Sequence, residues 1–234
     1  FNFNLKPKTM NMKKIAIIAL LFVGAQFNVT AQTAEEIVSN YLENIGGEEA
    51  LKKLKGTKMM AKVNAQGMEL PLEIITMADG RNIVSFEFQG QKMVQQAFDG
   101  EVAWGVNFMT QKAEKMEAED IENIKRESGD FPDAFLDYKE KGYSIELMGK
   151  ETVEGTECFK IKLTKKPMLI DGKEVENVTY YYFDTENFVP IVSESEIKAG
   201  QMAGSFSQTI FSDYQEVEGC LLYTSDAADE GHGV

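Results

Sequence analysis

Apolar and polar residues recur along this chain in two rhythms, and the change from one to the other lays out the fold. Ile37, Tyr41, Leu42 and Ile45 fall three or four residues apart, the spacing of one helical stripe. Thr33 stands before that stripe with Glu36 three residues on, a capping-box signature, and Gly46-Gly47 stops the helix. A second helical piece is predicted over Glu48 to Leu54. The period then changes to two: Met59, Ala61, Val63 and Ala65 alternate with Met60, Lys62, Asn64 and Gln66, which predicts a strand with the first set facing inward.

Strand-like runs follow at Leu70 to Met77, Asn82 to Phe88, Lys92 to Phe98 and Val102 to Phe108, separated by Asp79-Gly80, Gln89-Gly90 and Asp99-Gly100. Short glycine-containing turns between such runs predict an antiparallel meander. Ala113 to Ser128 is charged and helical in spacing, and Phe131 to Tyr138 reads as a short aromatic helix or loop. Strands resume at Tyr143 to Lys150, Glu157 to Thr164, Asn177 to Asp184, Pro190 to Lys198 and Ser205 to Tyr214. About ten strands around one helical insertion predict a mainly β (α+β) fold, a single curved antiparallel sheet or open barrel. Its apolar face must be covered by helices or line a cavity, which gives the insertion the place of a lid.

The two ends read differently from the middle. Lys13 and Lys14 lead into an apolar run from Ile15 to Val23 and then Val29-Thr30-Ala31, the layout of a cleaved export signal. Residues 10–31 are therefore expected to be a signal peptide, 1–9 upstream read-through, and Gln32 the mature start. The apolar run is too short to anchor in a bilayer. No cysteine follows it, so lipid attachment at the mature N-terminus is not expected. Residues 220–234 open Cys-Leu-Leu-Tyr-Thr-Ser-Asp-Ala-Ala-Asp-Glu and resemble a translated sequencing adapter fused to a truncated gene. The domain is then 32–219, cut short at its C-terminus, and an unpaired edge with poor solubility or dimerisation is expected. A monodisperse, cooperatively melting monomer would contradict that expectation.

Charge and composition narrow the function classes. Asp and Glu number 38 against 24 Lys and Arg, a net charge of −14, which argues against nucleic acid or an anionic membrane surface as the main partner. The single histidine, His232, lies in the tail, so Ser-His-Asp and Cys-His catalysis and His-containing zinc sites fall away with it. No Gly-x-Ser-x-Gly, Walker-type loop or Gly-x-Gly-x-x-Gly is present. Acids are too many for a catalytic pair to be chosen from sequence. Cys158 lies in the alternation Cys158 to Leu163 and reads as a buried core thiol, and no cofactor or metal is implied.

A set of motifs in order along the chain carries a family resemblance. These are the exported start, Asn44-Ile45-Gly46-Gly47, Asp99 to Trp104, Gly149 to Gly155 ahead of Cys158, and Tyr181-Tyr182-Phe183-Asp184 followed by Pro190-Ile191. Together they resemble the outer-membrane lipoprotein-sorting proteins, the family of the periplasmic carrier LolA and its acceptor LolB. The resemblance covers essentially all of Gln32 to Gly219. It implies a half-open antiparallel barrel with a helical lid, whose hollow holds the acyl chains of a lipoprotein or lipid in the periplasm of a Gram-negative envelope. It also implies an inner-membrane release complex and an outer-membrane acceptor as partners, with no catalysis. The alternative on the same fold is a module that senses envelope lipids or binds proteins without handing cargo on.

Met59, Ala61, Val63, Phe86, Phe88, Trp104 and Phe108 are the candidate cavity residues. Methionines adapt to flexible apolar ligands and equally fill an ordinary core. Trp104 has the same two readings, cavity wall or core. In the best-known carrier an arginine near the second or third strand helps to close the lid; Arg81 occupies that region and is the lid candidate. Asp79-Gly80-Arg81-Asn82 lacks the carrier's Arg-Pro pairing, however, so a solvated turn arginine is the competing reading. The acidic surface either guides docking on a basic partner or keeps the protein soluble.

Overall fold

Helix α1 (Ala34–Asn44) begins where its cap is predicted: Thr33 Oγ1 accepts from the Glu36 amide at 3.1 Å, and the Glu36 carboxylate accepts from the Thr33 amide at 3.0 Å. Its stripe of Ile37, Val38, Tyr41 and Leu42 is buried. Helix α2 (Glu48–Leu51) is shorter than Glu48 to Leu54, because the Lys53 and Leu54 amides bond three residues back and tighten the last turn out of α-geometry. These elements come from a computed structural model, which describes residues 32–65, 68–88, 90–107, 110, 112–199, 203–217 and 220–227. Among the described residues no helix is long and apolar enough to cross a membrane.

The meander is realised as β1 (Gly56–Ala65), β2 (Met68–Met77), β3 (Asn82–Phe88), β4 (Gln91–Phe98), β5 (Ala103–Asn107) and β6 (Lys112–Lys115), paired antiparallel in chain order. Ala113 to Lys115, most of β6, was expected in the central helix. It forms a strand instead because the edge of β5 offers it backbone partners from Trp104 to Asn107, and helix α3 (Ala118–Ser128) starts only afterwards. The second sheet runs β14–β13–β12–β11–β8–β7, from β7 (Ser144–Val153), β8 (Thr156–Thr164), β11 (Val178–Asp184), β12 (Pro190–Glu196), β13 (Phe206–Val217) and β14 (Cys220–Ala227). Between β8 and β11 a small hairpin, β9 (Met168–Ile170) with β10 (Lys173–Val175), had no signal in the alternation.

The fold is mainly β and antiparallel, and its sheets do not close into a barrel. Strands β1 and β14 come within 8 Å of each other (Cα to Cα) without sharing a ladder, so the expected single curve is drawn as two six-stranded ladders meeting at that seam. Residues 220–227, read from sequence as part of a foreign tail, pair with β13. Any strand edge offers unpaired N–H and C=O groups to a segment that can reach it, so this pairing does not depend on the segment's origin.

The main core lies on one face of the second sheet. Phe159, Ile161, Leu163 and Phe183 from β8 and β11 pack with α1 and with Phe135 and Leu136 of the segment after α3. Tyr41, Phe135, Tyr181 and Phe183 form edge-to-face pairs with ring centroids 4.9 to 5.8 Å apart. Cys158 is fully buried on the opposite face with Tyr182 and Val192, and burial pushes its thiol pKa up, as suits an inert structural cysteine.

Candidate functional site

In an antiparallel ladder, directly opposed residues project to the same side, so the register identifies what each face of the first sheet presents. One row reads Thr57, Thr76, Asn82, Phe98 and Ala103; the next Met59, Ile74, Val84 and Gln96; the third Leu72, Phe86 and Met93. Helix α3 covers the end of the first row, where Ile121 packs on Phe98 and Ala103. The other two rows are treated differently. Leu72, Ile74, Val84 and Phe86 are only half-buried, Met93 is 40% exposed, and none of them belongs to a buried cluster among the described residues.

That open apolar face runs into a hollow of about 310 Å³, at the lower end of the range for ligand sites. Thr57, Met59 and Thr76 bring the first sheet to it, Tyr41 brings α1, Tyr181, Pro190 and Phe211 bring the second sheet, and the segment from Phe131 to Phe135 closes one side. Helix α3 is held beside it by a close approach at the β2–β3 turn. Gly80 has φ +89°, and a Cβ there would meet the Ser128 side chain at 3.1 Å, so a residue with a side chain would both strain the turn and push the helix end away. On its other side α3 grips the β9–β10 hairpin. The Asn123 amide bonds both the N–H and the C=O of Leu169 at 2.8 Å, and the Glu119 carboxylate accepts from the amides of Asp171 and Gly172.

The rim of the hollow is acidic. Asp133 accepts from the Tyr41 hydroxyl at 2.6 Å and from the Phe135 amide at 2.8 Å, which locks the segment to α1. Burial holds its carboxyl above the usual range, against the pull of those hydrogen bonds. Asp130 accepts from the Tyr143 hydroxyl at 2.7 Å and from Lys165 at 2.8 Å. The Tyr143 phenol is pushed well up by desolvation and by Asp130. Lys141 donates to the Asp133 carbonyl, and burial lowers its pKa despite the surrounding carboxylates. Glu127 keeps part of its side chain in solvent, yet desolvation of its carboxyl raises its pKa.

The sequence-predicted site residues separate cleanly. Met59 lines the hollow, and half-buried Phe86 lies on the open face. Ala61, Val63 and Phe88 enter only through backbone register, opposite Leu72, Leu70 and Gln91, and Phe108 lies outside the described residues. Trp104 pairs with Ala97 and Lys115, which puts it on the face away from Ala103, 47% exposed. Arg81 is exposed at the β2–β3 turn, where it bonds the Asp79 carboxylate at 2.9 Å. Tyr41, Asp130, Asp133, Phe135 and Phe211 escaped the sequence reading as lining residues, since they come from three distant segments brought together only by the fold. The aromatic run Phe131 to Tyr138 was the one signal that could have found part of this set.

Among the described residues, no group of three His, Cys, Asp or Glu side chains is placed to hold a metal. No protein-family model matches the chain, and no curated protein does. Among solved structures, the chain is similar to a LolA superfamily protein from Nitrosomonas europaea at 14% identity, with 86% of this chain and 88% of that one covered and a TM-score of 0.47. It is also similar to an outer membrane lipoprotein-sorting protein domain from Vibrio parahaemolyticus at 13% identity, over 81% and 83% of the two chains, with a TM-score of 0.42.

Proposed function

We propose that this protein is a non-catalytic periplasmic binder and carrier of acylated lipoproteins or lipids, which lays acyl chain along the open face of β1 to β4 and into the hollow beside it. The observation that carries this reading is the half-buried apolar surface of Leu72, Ile74, Val84 and Phe86, left bare although α1 fills the corresponding face of the second sheet. A soluble chain gains nothing by leaving such a face half-wet unless something covers it for part of the time. Each acyl methylene moved from water onto it is worth roughly 0.8 kcal/mol and requires no reactive side chain. The family resemblance read from the sequence points to the same cargo. Delivery to an outer-membrane acceptor is the finer part of the reading, and needs cargo transfer as its own readout.

Native mass spectrometry with lipid extraction on the protein purified from an envelope fraction tests the binding step. Bound diacyl or triacyl species, lost in Phe86→Asp with folding retained, are expected. A protein that is empty and also takes up no fluorescent acyl probe would overturn the proposal.

A further inference from the structure

We infer that the outer face of the first sheet docks on a phospholipid bilayer surface. This is the face opposite the hollow, so the inference stands whether or not the hollow holds acyl chain. The ladder sets Lys58, Ile75, Ile83, Ala97, Trp104 and Lys115 in one row, and Met60, Glu73, Ser85 and Val94 in the next. An antiparallel sheet with one face turned to an apolar interior normally presents polar side chains on the other. Here the outward row is apolar between two lysines. Met60, Val94 and Trp104 are exposed, with Ile75, Ile83 and Ala97 half-buried beside them. Apolar side chains gathered in this way, rimmed by charge, mark a contact surface.

The chemistry of the row identifies the occupant. An indole joins a large apolar ring to one N–H donor, which suits the boundary between headgroups and acyl chains. Lysines at both ends of the row can lay their stems along apolar surface and reach phosphate with their ammonium groups. The acid of the adjacent row does not oppose this. Glu73 is bonded by Lys58 at 2.5 Å and by Lys92, and its side chain is 13% exposed against 57% and 53% for theirs, so the cations stand outermost. Glu87 lies opposite Lys92 in the ladder. The net charge of −14 disfavours an anionic membrane, but a zwitterionic headgroup carries no net charge and still offers a phosphate. A second copy of the chain fits this face poorly. Laid face to face about a two-fold axis, along the row or across it, the lysine ends would meet lysine ends.

Trp104 is the sole tryptophan of the chain, so its emission reads this face alone. Protein purified from an envelope fraction is titrated with phosphatidylcholine vesicles, plain or carrying brominated acyl chains. The protein is expected to co-sediment with them, and its emission to shift to the blue and be quenched by the bromines. Trp104→Ala should weaken co-sedimentation about tenfold, the size of one large side chain taken out of the contact. Lys115→Glu should weaken it severalfold. Phe206→Ala, which removes an exposed aromatic side chain from the second sheet, should leave it unchanged. Absence of co-sedimentation, vesicle binding with an unmoved and unquenched emission, or an equal loss in Phe206→Ala would overturn the inference. So would an emission that turns blue with protein concentration in lipid-free buffer, which would give the face to a second copy. Each of these outcomes leaves acyl uptake by the hollow as a separate question, read by the acyl probe.

Discussion

The two sheets of this protein carry similar amphipathic alternation and use it in opposite ways. On the second sheet, the face of β8 and β11 is sealed by α1 and the Phe131–Tyr138 segment, so that Ile161, Leu163 and Phe183 are fully buried. On the first sheet, among the described residues, α3 makes a buried cluster with Phe98 and Ala103, and the rows from Met59 to Phe86 remain half-wet. The difference lies in what covers each apolar face: one sheet holds the fold together, while the other leaves the apolar surface on which the proposed binding rests.

Substitutions that remove apolar mass from the two halves should therefore differ sharply. Phe183→Ala, at the centre of the aromatic cluster, is expected to cost about 3–5 kcal/mol in urea unfolding, whereas Phe86→Ala on the open face should cost about 1 kcal/mol or less. Equal costs would erase the distinction. Next in size is the joint between α1 and the segment that closes the hollow. Tyr41→Phe removes the donor to a buried carboxylate and should cost about 1–3 kcal/mol, with faster amide exchange at Phe135.

Asp133 sharpens the same joint through pH. Because burial raises its pKa in the folded protein, the folded state holds that proton to a higher pH than the unfolded chain does. Its contribution is therefore present below the ordinary carboxylate range and is lost as pH rises through the raised value. Asp133→Asn should flatten that part of the stability profile, measured as urea midpoints against pH in both proteins. Glu127 titrates in the same direction, so the informative quantity is the difference between the two curves. The smallest effect is expected on the outer face, where Trp104→Ala should change stability by no more than about 0.5 kcal/mol and leave acyl-probe affinity unaltered. A large loss of probe binding there would move the site to the other side of the sheet.

Much of this was legible from residue spacing alone. Thr33 and Glu36 announce the α1 cap, and the alternation from Met59 onward announces the strand, because both signals are local. Ala113 to Lys115 was misread as helix because a charged stretch has no face of its own until the edge of β5 supplies one. Trp104 carried no sidedness in its residue type; its register opposite Ala97 settled it. The hollow was illegible for a different reason: Tyr41, Asp133 and Phe211 are far apart in sequence and meet only after both sheets have formed.

The most direct single measurement is a photo-cross-link map with a tetradecyl chain bearing a terminal diazirine, read residue by residue by mass spectrometry. Adducts confined to the open face and the hollow, at Met59, Ile74, Val84, Phe86 and Phe211, are expected, and they should fade when unlabelled acyl competitor is added. Adducts spread over the outer face around Met60 and Trp104, or none that compete, would mean that the bare sheet holds no acyl chain.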